Sequence, residues 1–354
     1  MNIFYTASTA RHIRDFHTAI LDGLYKEGHS VTLACRGADG LDGPFEAMEL
    51  PYAKSFLSPR NLAAWLALAK RFRRRRYDMV LTHTALAGFL TRTALAAAGK
   101  KGTVCVHTAH GYLFGKGAPA AGKLTYWFER LSAPVTDAVF TMNAEDAVSA
   151  RKMVRKGGRV VPIPGMGIDL NRFRPAAPGE KETLRASLGL PGGTLLLYAA
   201  ELSKRKNHKP LLRAIREIGR PDITLLLAGD GKLKAKLEKM AREMDNVLFL
   251  GYVQDTAPLL RACDGALSAS RSEGLPHNIM EALASGLPAA ASRVKGHTDL
   301  LEDLFDPQNP SETARAIEAL AARSRQPRSL PGRKNLCGKE EAAAAFLQFL
   351  FSLT

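Results

Sequence analysis

The chain has 354 residues, of which 46% are hydrophobic and 24% charged, and a net charge of +16. That length is enough for two domains with separate cores, and the composition excludes disordered, collagen-like and small disulfide-scaffold classes. No apolar run approaches the roughly 20 residues that cross a bilayer.

In chain order, the first half alternates short apolar or β-branched runs with amphipathic stretches. Strands are expected at 2–7, 31–34, 79–82, 103–106, 138–141 and 159–163, and helices at 12–27, 60–76, 86–98, 122–134 and 144–156. Pro162, Pro164, Gly165, Gly167, Pro175 and Pro178 then interrupt the pattern, which marks a linker. The alternation resumes with strands at 194–200, 223–228, 247–250, 265–269 and 287–291. Helices follow at 207–218, 231–243, 256–262, 277–285 and 311–323. A final amphipathic stretch at 339–351 either anchors to a membrane or packs back on the first domain; the second is expected. Alternating strands and helices of this kind predict α/β architecture with doubly wound parallel sheets.

The four cysteines, Cys35, Cys105, Cys263 and Cys337, are scattered, with no C-x-x-C pair and no spacing suited to zinc. Reduced, mostly buried thiols in a cytoplasmic protein are expected. The first strand opens at once after Met1, with no basic region leading into an apolar one, so no signal peptide is expected. The charge is densest at 70–76, KRFRRRR. Three readings stand: a solvated helix end with cations near its C-terminus, attraction to anionic lipid or a lipid diphosphate, and nucleic acid. No nucleic-acid module or aromatic interleaving accompanies the run, so nucleic acid is not an expected partner.

The densest chemical signal is the segment 272–292, SEGLPHNIMEALASGLPAAAS. Glu273 and Glu281 stand eight positions apart, with a Gly-Leu-Pro turn after the first and a short helical run up to the second. Gly286 and Pro288 break that helix before a small strand at 289–291. A helix that opens on a Gly-Pro turn presents backbone N–H groups and the positive end of its dipole, a seat for a diphosphate. Two carboxylates bracketing it can accept hydrogen bonds from sugar hydroxyls. A nucleotide-sugar is the ligand this arrangement suits.

The same segment resembles the E-x7-E signature of retaining glycosyltransferases of family 4. Further blocks resemble that family in order and spacing: MNIFYTASTARHIRDFH at the start, HTAHGYLFGKGAP at 107–119, TDAVFTMNAEDA at 136–147 and VPIPGMGIDLNRFRP at 161–175. AELSKRKNHKPLL at 200–212, LLLAGDGKLKAKL at 225–237 and GYVQDTAPLLRACD at 251–264 complete the set. The resemblance covers nearly the whole chain and implies the GT-B fold, two Rossmann-like domains facing each other across a cleft. Residues 1–170 would form an acceptor-side domain and 171–335 a nucleotide-sugar domain. Residues 336–354 would supply a helix returning to the first.

Roles carried over from the family are specific. Glu281 would hold the ribose hydroxyls. Glu273 would contact the donor sugar and help stabilise positive charge at the anomeric carbon. The N–H groups around Leu275, His277 and Asn278 would face the diphosphate, while Pro276 has none to offer. Lys206 matches the family's phosphate-binding lysine. Relatives often carry an Arg where this chain has Glu201, and Lys204 or Arg205 would supply that charge, with Arg205 favoured. His110, at a strand end and followed by Gly, would reach the donor sugar; a neutral imidazole suits both donation and acceptance. His107 is the alternative. Gly229 and Gly231 form either a turn near the nucleotide base or plain turn chemistry. Relatives often have a Gly-Gly pair where this chain has Ala10 and Arg11, which leaves Arg11 or His12 as candidates for an anionic acceptor. After Asp303 a Gly-containing loop usual in relatives is missing, so the second sheet is expected to be trimmed at that edge.

The expected activity is retaining, metal-independent transfer of a hexosyl or N-acetylhexosaminyl group, with neither metal nor cofactor. The donor would be a nucleotide-sugar, UDP-linked. The acceptor would be a glycan on a polyprenyl diphosphate, in exopolysaccharide, capsule or O-antigen synthesis, at the inner face of the plasma membrane. Two other readings remain: a GT-B protein that binds a nucleotide-sugar or partner enzyme without transfer, and a nucleotide-sugar epimerase. Fold alone does not separate them.

Overall fold

A computed structural model describes residues 1–114, 120–323 and 336–353; residues 115–119 of the block at 107–119 lie outside the described residues. Two compact units divide the chain, Met1–Gly167 together with the segment from Lys339, and Ile168–Gly338.

The first unit contains β1 (Asn2–Thr9), α1 (Ala10–Phe16), α2 (Thr18–Lys26), β2 (Ser30–Arg36), β3 (Glu46–Glu49), α3 (Pro59–Arg74) and β4 (Met79–His83). It continues through α4 (Ala85–Ala97), β5 (Val104–Ala109), α5 (Ala120–Ser132), β6 (Ala138–Thr141), α6 (Ala144–Met153) and β7 (Arg159–Pro162). Its seven strands run in the order β3-β2-β1-β4-β5-β6-β7, and β1 pairs in parallel with both β2 and β4. The order reverses direction between β1 and β4, so the loops leaving those two strands diverge and open a crevice.

Local sequence explains the helix ends. Thr9 caps α1 by accepting from the His12 N–H, and Asn143 caps α6 by accepting from the Asp146 N–H. Glu145 and Asp146 open α6 while Arg151 and Lys152 close it, which complements the helix dipole. One expectation needs correction: the helix over 12–27 is two helices, broken at His17, whose φ of −120° is not helical. The His17 imidazole lies 2.6 Å from the buried Tyr5 hydroxyl, an anchor that periodicity does not register. Strand β3 has no expected counterpart, because its sequence, EAME, is mostly exposed at the sheet edge and shows no apolar alternation.

The second unit contains α7 (Glu180–Ser187), β8 (Thr194–Ala199), α8 (Lys209–Ile218), β9 (Ile223–Ala228), α9 (Lys234–Met240) and β10 (Val247–Gly251). Next come α10 (Ala257–Ala262), β11 (Gly265–Ser268), α11 (His277–Ala284), β12 (Ala289–Ser292), β13 (Leu304–Phe305) and α12 (Pro310–Arg323). The strand order is β10-β9-β8-β11-β12-β13, with its reversal between β8 and β11. Strand β8 shows why the runs read as continuously apolar. Leu196 and Tyr198 pack into the core on one face, Leu195 and Leu197 into the core on the other. The edge expected to be trimmed after Asp303 keeps a two-residue strand, with Leu304 and Phe305 opposite Ala291 and Ser292 and Phe305 fully buried.

The last helix, α13 (Lys339–Phe351), belongs to the first unit. Ala342, Ala343, Phe346 and Leu350 form its buried stripe, Phe346 sets its ring edge-on to Phe140 at 5.0 Å, and the Ser352 carbonyl accepts from Arg159 at 3.0 Å. Those contacts explain its amphipathic pattern without a membrane. Among the described residues no helix is long and apolar enough to cross one. In the basic run, Arg71 and Arg75 pair with Glu46 at 2.5 and 2.6 Å, whereas Arg73, Arg74 and Arg76 are exposed.

Candidate active site

In the second unit, the loops leaving β8 and β11, on either side of the strand-order reversal, bring Lys206, Arg205 and Glu273 together. The Lys206 ammonium donates to one Glu273 carboxylate oxygen at 2.6 Å and the Arg205 guanidinium to the other at 3.0 Å. Glu273 is 7% exposed and Lys206 13%, while Arg205 is half open to solvent at 47%. Burial by itself would raise the Glu273 carboxyl, but the two cations outweigh it and hold the group below its ordinary value. For Lys206 the balance tips the other way: burial lowers the ammonium and Glu273 offsets part of the shift. Lys204 and Glu201 are exposed, so of the two cations weighed against Glu201 it is Arg205 that joins the pair.

The pair rests on a hydrogen-bonded support that sequence spacing did not mark. Tyr198, at the end of β8, donates to the Lys206 carbonyl at 2.7 Å and shares a bond with Ser270 at 3.0 Å. The Ser270 hydroxyl in turn bonds Glu273. Gly296 follows β12 with φ +82°; a Cβ there would sit 2.8 Å from the Gly274 carbonyl and 3.1 Å from the Glu273 Cβ. Only glycine lets this loop lie against Glu273. His297 is buried beside it with Nδ1 2.8 Å from the Ser292 carbonyl, and burial pushes its imidazole down to about 4.

Glu281 lies on α11, its carboxylate 3.4 Å from the Thr256 hydroxyl in the loop after β10. Helix α11 starts at His277 after Pro276, which makes no side-chain cap, and the Ile279 and Met280 N–H groups donate to the Pro276 carbonyl. Leu275, His277 and Asn278 are half-buried at this helix start, and the buried Asn278 Oδ1 has no hydrogen-bond partner. Gly229 runs against the loop after β8: a Cβ would fall 2.0 Å from the Ala200 carbonyl, and its N–H donates to Gly251. Gly231 abuts Leu202 in the same way. Both glycines thereby hold the loop that carries Arg205 and Lys206.

In the first unit the other candidates gather at the ends of β1, β4 and β5. His110 Nε2 lies 3.2 Å from His83 Nδ1, and the His12 ring sits edge-on to His110 at 4.9 Å. Arg11, one residue from His12, instead points outward, 70% exposed beside Asp15. His107 is buried between the Thr82 hydroxyl at 2.9 Å and Glu129 at 3.5 Å. Glu129 also forms a buried bidentate pair with Arg92 at 2.9 Å. A cavity of about 190 Å³ opens beside His110, lined also by Thr84, His107, Tyr112 and Glu129. Thr84 occupies φ +63°, ψ +148°, a strained conformation for a β-branched residue, at the turn that follows His83. Sequence reading missed His17, His83, Tyr5, Ser270 and His297. The histidines carried one available signal, since His83 ends a strand just as His110 follows one.

Two doubly wound parallel-sheet units in one chain, with an acid–base pair at one strand-order reversal, define the GT-B class. Family models agree: "Glycosyl transferase 4-like domain" matches residues 16–165 and "Glycosyl transferases group 1" matches 193–323. The chain is 33% identical to the putative glycosyltransferase EpsD of Bacillus subtilis over 85% of this chain and 81% of that one. It is 28% identical to the UDP-Gal:alpha-D-GlcNAc-diphosphoundecaprenol alpha-1,3-galactosyltransferase of Escherichia coli, over 80% and 76% of the two chains. Among solved structures, Anabaena HepE in complex with UDP and glucose superposes with a TM-score of 0.73 at 18% identity, over 99% of this chain and 100% of the other. The chain therefore belongs to the group 1, family 4-type glycosyltransferases, and it is a glycosyltransferase acting on a nucleotide-sugar donor.

Proposed function

We propose that the chain is a retaining, metal-independent glycosyltransferase moving a hexosyl or N-acetylhexosaminyl group from a UDP-sugar to a polyprenyl-diphosphate-linked saccharide in surface polysaccharide synthesis. The observation that carries this reading is the buried ion pair of Glu273 with Lys206, flanked by the half-exposed Arg205. An arriving diphosphate competes with Glu273 for both cations. As it draws Lys206 and Arg205 to its own oxygens, Glu273 is released to accept hydrogen bonds from the donor sugar.

In the transfer, the acceptor hydroxyl oxygen attacks the anomeric carbon while the bond from that carbon to the diphosphate breaks. Negative charge grows on the departing phosphate, where Lys206 and Arg205 are already held, and positive charge grows at the anomeric carbon near Glu273. The departing oxygen takes the acceptor proton on the same face of the sugar, so no strong protein base is required. Glu281 holds the ribose, the first turn of α11 from Leu275 to Asn278 supports the diphosphate, and His110 is assigned to the donor sugar. Arg11 and His12 are assigned to the anionic acceptor. The exposed Arg73, Arg74 and Arg76 favour peripheral contact with an anionic cytoplasmic leaflet.

UDP and the lipid-linked acceptor are supported by the E. coli relative, whose name carries both, and UDP also by the HepE complex. The test is nucleotide release from UDP-, GDP-, ADP- and dTDP-sugars with and without a lipid extract, followed by the anomeric configuration of the product. UDP release that rises with lipid, is lost in Glu273→Ala and gives a retained anomer is expected. Tight nucleotide binding without release in the presence of acceptor would favour a binding subunit, and sugar conversion without acceptor an epimerase.

A further inference from the structure

The ends of β1, β4 and β5 and the break between α1 and α2 place four imidazoles in one buried cluster. His17 contacts His83 and His110 with ring centroids 4.4 and 5.4 Å apart, and His12 contacts His17 and His110 at 4.9 Å each. We propose that His12, His17 and His110 form a three-histidine site for a divalent transition ion of the zinc type, supported by Tyr5 and His83.

One ring nitrogen from each of the three residues lies within 4.8 Å of the others. Tetrahedral ligation at zinc–nitrogen distances of 2.0–2.1 Å separates ligand nitrogens by about 3.4 Å, a gap that small ring rotations close. Two of these rings hold nitrogens that nothing else satisfies: Nε2 of His17 and Nε2 of His12 are buried with no hydrogen-bond partner. His17 is fully buried, so its Nε2 bears a desolvation cost that an ion would remove.

The supporting shell has the form that metal-binding imidazoles require. Nδ1 of His17 lies 2.6 Å from the Tyr5 hydroxyl, and with the proton on Nδ1 donated to that oxygen, Nε2 presents its lone pair. His83 orients His110 from behind at 3.2 Å. Three imidazoles without a carboxylate suit zinc, copper or nickel rather than magnesium or calcium, and they leave a fourth position for an exchangeable ligand.

This ion is not asked to neutralise the leaving diphosphate, a task assigned to Lys206 and Arg205 in the other unit; with His110 Nε2 on His83 Nδ1, only Nδ1 is left for the ion, so the ion-bound state and the donor-sugar contact proposed for His110 are alternatives. Its binding is read without any transfer assay, so failure of the transferase reading and failure of this one are distinguishable. The sequence missed the cluster because His12 and His17 are five apart, a spacing that does not align on one helix face. The turn at His17 brings them together.

The test titrates the untagged, chelator-treated full chain with Co²⁺, followed by competition with Zn²⁺. Expected is a tetrahedral visible absorption saturating at one ion per chain and abolished by zinc. His12→Asn and His110→Asn should each weaken binding at least about 100-fold, Tyr5→Phe about 10-fold, and His29→Asn not at all. Circular dichroism melting of the ion-free variants reports whether each is folded, and the half-buried His12 makes its variant the decisive one if a core substitution fails to fold. Absence of saturable one-to-one binding, or binding by folded His12→Asn equal to wild type, overturns the proposal.

Discussion

The two strand-order reversals are alike in topology and opposite in chemistry. Between β8 and β11 the loops converge on full charges, Lys206 and Arg205 against Glu273. Between β1 and β4 they converge on imidazoles that burial keeps neutral. Both places are largely removed from water, so the difference lies in what each group meets there. A carboxylate with two cations in contact is held below its ordinary value despite burial, whereas at His12, His17 and His83 burial is the largest effect and lowers the imidazoles, Asp15 offsetting only part of the shift at His12. One topology thus supplies a charged cluster in one unit and a cluster of imidazoles in the other.

The charged seat breaks most sharply at its centre. Glu273→Ala and Lys206→Ala are each expected to lower the rate of nucleotide release with acceptor by about 100- to 1000-fold, measured at saturating donor. Arg205→Ala, at the half-exposed partner, should lose about 10-fold. Equal losses at Arg205 and Lys206 would show that burial does not rank the two cations.

The buried pair of the first unit supplies a contrast in stability. Glu129→Gln leaves Arg92, which is 1% exposed, without its bidentate partner, and should cost about 3–5 kcal/mol in urea unfolding. Replacing both by apolar residues of similar volume should recover most of that loss. Were the double replacement no better than the single one, the pair would be contributing more than mutual compensation.

Gly296→Ala sharpens the comparison by moving Glu273 without removing it. The added Cβ forces the loop away from Gly274, and a displacement of that kind should lower transfer about 10- to 100-fold while the cooperative melt is kept. Unchanged activity would mean that the loop yields without moving Glu273.

Acid separates the neutral cluster from the charged seat. His12 stays neutral in the folded chain down to about 4, while the unfolded chain takes up its proton below about 6.5. Stability from this group is therefore complete above about 6.5 and falls by about 1.4 kcal/mol per pH unit between there and 4. Glu273 is held below its ordinary value, so its contribution persists to still lower pH than a normal carboxylate's. Urea midpoints measured from pH 7 to 5 should fall, and His12→Asn should remove about one proton's worth of that slope. An unaltered slope would place the acid sensitivity elsewhere, for instance at His208 or His297, both pushed down to about 4.

Most strands and helices were legible because parallel strands buried on both faces read as unbroken apolar runs, as in β9 with ITLLLA. Elements whose stability comes from an edge or a neighbour were not: β3 is polar, β13 has two residues, and α7 buries no side chain of its own. The site divides along the same line. Glu273 and Glu281 share one short segment around α11, so their spacing already marked both as candidates, and Lys206 lies in one continuous motif. His17, His83 and Tyr5 carry none until β1, β4 and the turn at His17 are folded, because no local periodicity joins residues 5, 17, 83 and 110.

By itself, then, the sequence determined the α/β alternation and the family and marked Glu273, Lys206 and Arg205 as candidates, since each depends on hydrophobic period or on a motif within a short stretch of chain. The tertiary structure decided which cation meets Glu273, that Gly296 presses on it, and that His12, His17, His83 and His110 share one cluster. Those outcomes depend on which strand ends adjoin at a reversal of sheet order and on how much water is left there. Strand pairing over tens to hundreds of residues sets both.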